Sequence, residues 1–436
     1  MRNNIIHPGA DELTYEIREI VEVGNQIEKT GIPITWENIG DPVAKGEKVP
    51  EWIKEIIINT VKTDDSCFAY SPTKGLLETR EYIAYERNIE GSTQITPDDI
   101  LFFNGLGDAV SKIYNYLNKS ARVIGPNPAY STHSSAEAGH SGKHHITYRL
   151  DPHNNWYPDM DHLRSQLIKH PEISGILLVN PDNPTGMVYS QEIIREFVKI
   201  AKEFDLFMIS DEIYSNLFYG GVVHKKLASV VGDIPGIALR GISKEFPWPG
   251  ARCGWVEFYN RDKHPNFARY AKTIIDAKML EVCSTTLPQK VLPKIMGDPR
   301  YYPYLDKRNS YYWEKSQLAH SIFSKIPGLI IHKAYGAFYM TVLFDKGTLH
   351  KGQFLKPANG KAEEIIKPLV DSAKHDKRFA YYLLASKGIC VVPLSTGFNS
   401  DLFGFRITLL EPDKNKFINI MQNIAEAAKE YMNSKR

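Results

Sequence analysis

Between about residues 98 and 260 the chain alternates short, mainly apolar runs with stretches whose apolar residues recur at helical spacing. The runs predict strands at Ile100–Phe103, Arg122–Ile124, Gly175–Asn180, Leu206–Ser210, Gly236–Arg240 and Cys253–Tyr259. They are apolar at successive positions, which suits a parallel sheet buried on both faces. Their alternation with helical patterns predicts an α/β architecture. One interleaved helix is well marked: Ser190 can cap it, and Ile193, Ile194, Phe197, Ile200, Ala201 and Phe204 form one apolar stripe. That stripe belongs to the core and carries no chemistry. From Leu305 the pattern changes to long mixed helices, an apolar run at Ala337–Phe344 and a strand pair around Ile389–Val392 and Phe405–Leu410. The expected fold is a large α/β domain over 61–304, its mostly parallel sheet flanked by helices, with a smaller α+β domain over 305–436. Residues 1–60 are expected to supply an amino-terminal arm and part of the small domain. Lys351 to Lys377 is polar and lysine-rich, which predicts a solvated insertion rather than a lid.

Composition narrows the function classes. At 436 residues the chain exceeds the size at which single cores stop growing, in keeping with two subdomains. A net charge of +2 gives no bias toward nucleic acid. The four cysteines, Cys67, Cys253, Cys283 and Cys390, lie far apart, so neither a disulfide framework nor a zinc site is suggested and a cytoplasmic setting is expected. Met1-Arg2-Asn3-Asn4 and the acidic Asp11-Glu12 lack the apolar core of a signal peptide, and no run is long enough to span a bilayer. The histidines, His144-His145 among them, show no metal-ligand spacing.

The candidate chemistry lies at strand-to-loop junctions, where open α/β sheets bind ligands. Lys244 follows a predicted strand, and a desolvated lysine can lose its proton and condense with an aldehyde. Arg252, eight residues on across a Pro/Gly-rich turn, carries a fork of donors suited to phosphate. Asp211 ends an apolar run, and a carboxylate there can keep a pyridine nitrogen protonated. Tyr214 and Asn183 can reach a phenolic ring oxygen, and Asn183 also a substrate carboxylate. Gly105-Leu106-Gly107 leads into a helix predicted to begin near Ala109, an anion site of the helix-terminus kind, and Tyr130 can stack on a flat ring. Taken singly, each has a plainer explanation: surface charge, helix cap, turn or packing. A nicotinamide fingerprint is not met, because Gly105-x-Gly107 lacks its third glycine.

Order and spacing of these motifs resemble fold type I pyridoxal phosphate enzymes, specifically the class I/II aminotransferases, from about Gly40 to Arg406. The resemblance rests on Asn180-Pro181-Asp182-Asn183-Pro184-Thr185-Gly186, on Asp211-Glu212-Ile213-Tyr214 and on Ser243-Lys244 with Gly250-Ala251-Arg252-Cys253-Gly254. It implies pyridoxal 5'-phosphate as cofactor, with Lys244 as Schiff-base lysine and Asp211, Asn183, Tyr214 and Arg252 in the functional positions. It implies Gly105, Leu106 and Gly107 as the phosphate cradle and Tyr130 as the ring-stacking aromatic. Tyr70 resembles the tyrosine that reaches the neighbouring subunit's phosphate, which implies a homodimer with shared active sites. Gly40 resembles the glycine that closes over the substrate, and Arg406 the arginine that clamps its α-carboxylate. Two positions depart from the pattern. Gly241 stands where the family commonly has a phosphate-binding hydroxyl, which leaves Ser243, or Ser284-Thr285-Thr286 of the other subunit, to replace it. Near Ser284 there is no arginine of the kind that binds a substrate's side-chain carboxylate in aspartate-specific members.

The implied activity is ping-pong transfer of an amino group between an L-amino acid and a 2-oxo acid. An eliminating enzyme such as a C–S lyase begins with the same α-proton removal, and a non-catalytic ligand-sensing domain shares the fold, so both stand as alternatives. Tyr15 and Trp36 place aromatics near the amino terminus and leave neutral or aromatic substrates open.

Overall fold

The computed structural model describes residues 5–7, 9–13 and 16–435; Met1-Arg2-Asn3-Asn4 and Tyr15 lie outside them. An eight-stranded sheet forms the centre of the larger unit. Its strands run, in spatial order, Ile100–Phe103, Gly254–Tyr259, Gly236–Gly241, Phe207–Asp211, Ile173–Val179, Arg122–Asn127, Thr147–Asp151 and Tyr157–Pro158. The four pairings from Gly236–Gly241 to Thr147–Asp151 are parallel, while Gly254–Tyr259 is antiparallel to both its neighbours. Successive residues feed opposite cores: Ile100 and Phe102 join one buried cluster, Leu101 and Phe103 the other. Burial of each such side chain stabilises the fold by about 1.5–3 kcal/mol, which is why these strands carry no polar alternation.

Strand ends differ from the sequence-based expectation where polar residues are involved. Leu206–Ser210 shifts to Phe207–Asp211, placing Asp211 within the sheet, opposite Val179 and Leu239. Arg122–Ile124 continues to Asn127, because Gly125–Asn127 pair with Thr147–Arg149. Thr147–Asp151 itself was not expected: only Tyr148 and Leu150 are buried, in a period-two pattern among polar residues. The helix expected near Ala109 starts at Leu106, with Gly105 as its N-cap.

The long helix Tyr301–Phe323 leads into the smaller unit, a four-stranded antiparallel sheet in the order Leu329–Ile331, Tyr339–Phe344, Gly404–Thr408, Val392–Pro393. The expected strand Ile389–Val392 divides, since Ile389 and Cys390 pair instead with Thr35 and Trp36. The ring of Trp36 packs against Gly24. Lys351–Lys377 is not a solvated insertion. It contains the helix Gly360–Val370, whose Ala362, Ile366 and Val370 are buried against the helices His375–Lys387 and Glu16–Glu28. Its lysines sit on the outer face of an amphipathic helix, and their number hid the three-to-four-residue apolar spacing. Among the described residues no helix is long and apolar enough to cross a membrane.

Candidate active site

All the parallel strands end at one edge of the sheet, and that edge carries the chemistry. Ile100–Phe103 runs antiparallel to Gly254–Tyr259, which runs antiparallel to Gly236–Gly241, so Phe103 and Gly241 both pair with Gly254. The register therefore brings the Asn104-Gly105 turn together with the Lys244 turn and Arg252, although Asn104 and Arg252 are 148 residues apart in sequence. A cavity of about 220 Å³ opens there, lined among others by Leu106, Gly107, Tyr130, Asn183, Asp211, Tyr214, Ser243, Lys244 and Arg252.

Lys244 donates from Nζ to the carbonyl oxygen of Gly40 at 2.7 Å, and Nζ stands 5.9 Å from the centroid of the Phe338 ring. Burial pushes its pKa down to about 8, with Asp41 opposing the shift and Arg406 and Arg252 adding to it. A usable fraction of neutral amine near neutrality is what condensation with an aldehyde requires. Asp211 accepts at Oδ1 from the Ile213 amide (3.1 Å) and shares Oδ2 with His133 Nε2 at 3.0 Å. His133 Nδ1 lies 3.3 Å from the Tyr114 hydroxyl. His133 escaped the sequence reading: nothing in a lone histidine three residues after Tyr130 marks it, and only the packing of helix Ser131–Ser141 aims it at Asp211.

Gly105 adopts φ 85° and ψ 163°, a backbone region that only glycine visits readily. A Cβ there would stand 2.3 Å from Arg252 Nη2, so the missing side chain lets the guanidinium lie beside the helix start. Arg252 also donates from Nη2 to the Asn104 carbonyl at 3.3 Å. The guanidinium lies beside the first turn of helix Leu106–Asn115, whose Asp108 and Ala109 amides donate to Gly105 O, and with the amides of Leu106 and Gly107 it makes a candidate anion site. A side chain at Gly241 would be tight and would push on its neighbours by a few tenths of an ångström. A Cβ would meet Cys253 O at 3.0 Å and Ile213 Cδ1 at 3.2 Å, while Ser243 lines the cavity. Thr285 is tied within its own chain: its amide donates to Asn104 Oδ1 and its hydroxyl to Arg252 O, each at 3.1 Å.

Arg406 is buried, stacks 4.1 Å from the centroid of the Tyr339 ring and donates to Asn183 Oδ1 (3.1 Å) and Asn38 O (2.7 Å). Its Nε is buried without a partner. Tyr339, also missed from sequence, touches Gly40 and Tyr214. Its hydroxyl accepts from Tyr214 at 3.4 Å, and a Cβ at Gly40 would fall 1.9 Å from it. Burial raises the Tyr214 pKa well above its ordinary value, which keeps that hydroxyl a donor. Gly40 and Arg406 thus join the cavity residues through Lys244 and Asn183. Tyr70 does not join them within one chain, being 84% exposed. Among the described residues no cluster of metal-ligand type occurs.

The donor set fits pyridoxal phosphate: a desolvated amine, a carboxylate braced by a histidine, an apolar-walled slot and an anion cradle whose glycine a side chain would obstruct. Comparisons with known proteins agree with that chemistry. Residues 37–416 match the model of the family "Aminotransferase class I and II". The chain is 55% identical over 432 residues to an uncharacterized aminotransferase of Methanocaldococcus jannaschii, covering 99% of this chain and all of that protein. It is 28% identical to the glutamate-pyruvate aminotransferase AlaA of Escherichia coli, over 76% of this chain and 80% of that one. Among solved structures it resembles the alanine aminotransferase from Pyrococcus furiosus, with a TM-score of 0.82 at 26% identity, over 97% of this chain and 98% of that one. Sequence, fold and site agree that this chain belongs to the class I and II aminotransferases, enzymes that use pyridoxal 5'-phosphate.

Proposed function

We infer that the enzyme moves an amino group between an L-amino acid and a 2-oxo acid in two half-reactions, with Lys244 as the residue that holds the cofactor and then carries the proton. The observation that carries this reading is the state of Lys244, an amine with its pKa lowered by burial and its Nζ held on the Gly40 carbonyl inside the cavity. Pyridoxal phosphate, when bound, supplies an electron sink for negative charge developing at the substrate α-carbon. Asp211, hydrogen-bonded to His133, offers a carboxylate to the ring nitrogen. Tyr214 and Asn183 offer hydrogen bonds to a ring oxygen, and Tyr130 a stacking face. Gly105, Leu106, Gly107, Ser243 and Arg252 hold the phosphate. Arg406 and Asn183 grip the substrate α-carboxylate beneath Gly40, which turns binding energy into orientation of the α-hydrogen toward Lys244.

The names of the alanine and glutamate-pyruvate relatives make L-alanine or L-glutamate, with 2-oxoglutarate or pyruvate, the first pair to try. Exposed Tyr70, Phe68, Leu280 and Val282 support a homodimer in which Tyr70 completes the partner's site. Four free cysteines, three of them buried, support a reducing, cytoplasmic setting. Borohydride reduction of the protein with pyridoxal phosphate, followed by peptide mass analysis, should place the adduct on Lys244. Amino-acid addition should release one 2-oxo acid per site. Turnover in Lys244→Ala at the wild-type rate, or pyruvate with ammonia from a β-substituted amino acid as the main products, would overturn the reading.

A further inference from the structure

Asp211 and Lys244 are each followed in sequence by a buried glutamate, Glu212 (2% exposed) and Glu245 (4%). Two carboxylates taken out of water beside the two central groups of the site are costly unless something compensates them. One side chain lies between them. Arg240, 1% exposed, extends from strand Gly236–Gly241, whose Leu239 carbonyl accepts from the Glu212 amide at 2.9 Å. Its Nη1 is 3.4 Å from Glu212 Oε2 and its Nη2 3.5 Å from Glu245 Oε1. Both carboxylates are also tied to rigid parts of the fold. Glu212 Oε1 accepts from the Leu227 amide (2.6 Å) and the Ser210 hydroxyl (3.1 Å). Glu245 Oε1 accepts from Ser215, and Oε2 from Asn216 (3.0 Å) and Tyr301 (2.9 Å).

We propose that Arg240 is a positioning residue: its guanidinium fork clamps Glu212 to Glu245 and thereby fixes the spacing between Asp211 and Lys244. It touches neither reacting group and acts through the backbone that each glutamate shares with its catalytic neighbour. The planar fork matters, since one rigid group with two separate donors can hold two carboxylates at a set distance and a lysine cannot. Arg308 reinforces one end by donating to the carbonyls of Lys244 (2.9 Å) and Glu245 (2.6 Å). The inference rests on the reading of Lys244 as the cofactor lysine, and it gives Glu212, Glu245 and Arg240 work that general core packing would not require.

The test is the pH midpoint of Lys244 labelling by acetic anhydride, followed by peptide mass analysis in the full chain without cofactor. Groups bearing on that charge are Asp41, Arg406 and Arg252, none of which is altered. Arg240→Lys keeps the charge and removes the fork. Loosening of the Lys244 turn then admits water and raises the midpoint by about half a pH unit or more. In the enzyme with pyridoxal phosphate, kcat should fall about fivefold or more with KM for the amino donor nearly unchanged. Arg87→Lys is the control. Arg87 is also buried but pairs with Glu257 and Glu90, so it should lower Tm and leave the labelling midpoint in place. If Arg240→Lys lowers Tm like the control and leaves both midpoint and kcat unchanged, Arg240 is merely structural and the proposal falls. Should Arg240→Lys not fold, Tyr301→Phe, which removes one donor to Glu245, must raise the midpoint by a smaller amount; no change overturns the proposal equally. A wild-type chain that forms no adduct with pyridoxal phosphate at Lys244 would instead defeat the reading of the site, and the labelling result would still decide the clamp.

Discussion

Replacing Gly105 by alanine tests the phosphate cradle at its tightest point. The new Cβ would lie 2.3 Å from Arg252 Nη2 and 2.7 Å from its Cζ, where ordinary contact begins near 3.4 Å. Arg252 must therefore retreat by about 1 Å, which a long side chain can do cheaply. Backbone strain at φ 85°, ψ 163° adds about 1–3 kcal/mol, visible as a lower Tm. The functional loss is separate. A guanidinium moved from its place beside the helix start forfeits a charge-assisted hydrogen bond to phosphate worth about 1.5–3 kcal/mol, or about 10- to 150-fold in affinity. Titrating the folded variant with pyridoxal phosphate and with pyridoxal, read by visible absorption, separates the two effects. Binding of pyridoxal phosphate should weaken by about that factor while pyridoxal, which lacks the phosphate, binds as to wild type. An unchanged ratio of the two affinities would show that Arg252 and Gly105 do not hold phosphate.

Lys244→Met should raise the Tm of the cofactor-free protein at pH 7, because it removes a burial cost of at most about 3 kcal/mol. The sign follows from the lowered pKa. Between about 8 and its ordinary value of 10.5 the unfolded chain binds the extra proton, so wild-type stability gains from rising pH in that window while Lys244→Met does not; parallel curves would refute the shift. His133→Ala deprives Asp211 Oδ2 of its partner and should lower kcat by about 10- to 100-fold with little change in KM, measured by steady-state kinetics. Arg406→Lys loses the fork that reaches Asn183 and Asn38 and should cut kcat/KM by about 100-fold for amino and oxo acids alike. A loss confined to one of the two substrate classes would contradict a shared carboxylate site.

The sheet was readable because burial on both faces leaves its strands runs of successive apolar residues, as at Ile100–Phe103 and Ile176–Val179. Loop chemistry was readable for a similar reason, since Asn183, Asp211, Lys244 and Arg252 occur within dense turn motifs. Thr147–Asp151, half covered and polar in every second position, was not, and neither was the buried face of Gly360–Val370 among its lysines. His133, Tyr339 and Arg240 stayed hidden because one isolated histidine, tyrosine or arginine carries no local pattern.

By itself the sequence determined the α/β class and the family, and proposed the groups that would hold a cofactor, because backbone periodicity and turn chemistry are local properties. Only the tertiary structure decided what those groups become. Strand register set Gly241 and Phe103 against Gly254, and so Arg252 against Gly105; helix packing aimed His133 at Asp211. Burial and the Gly40 carbonyl, 204 residues from Lys244, made an ordinary lysine into an amine poised near neutrality. Proton affinity and hydrogen-bond geometry depend on neighbours in space, and the chain acquires those neighbours only by folding.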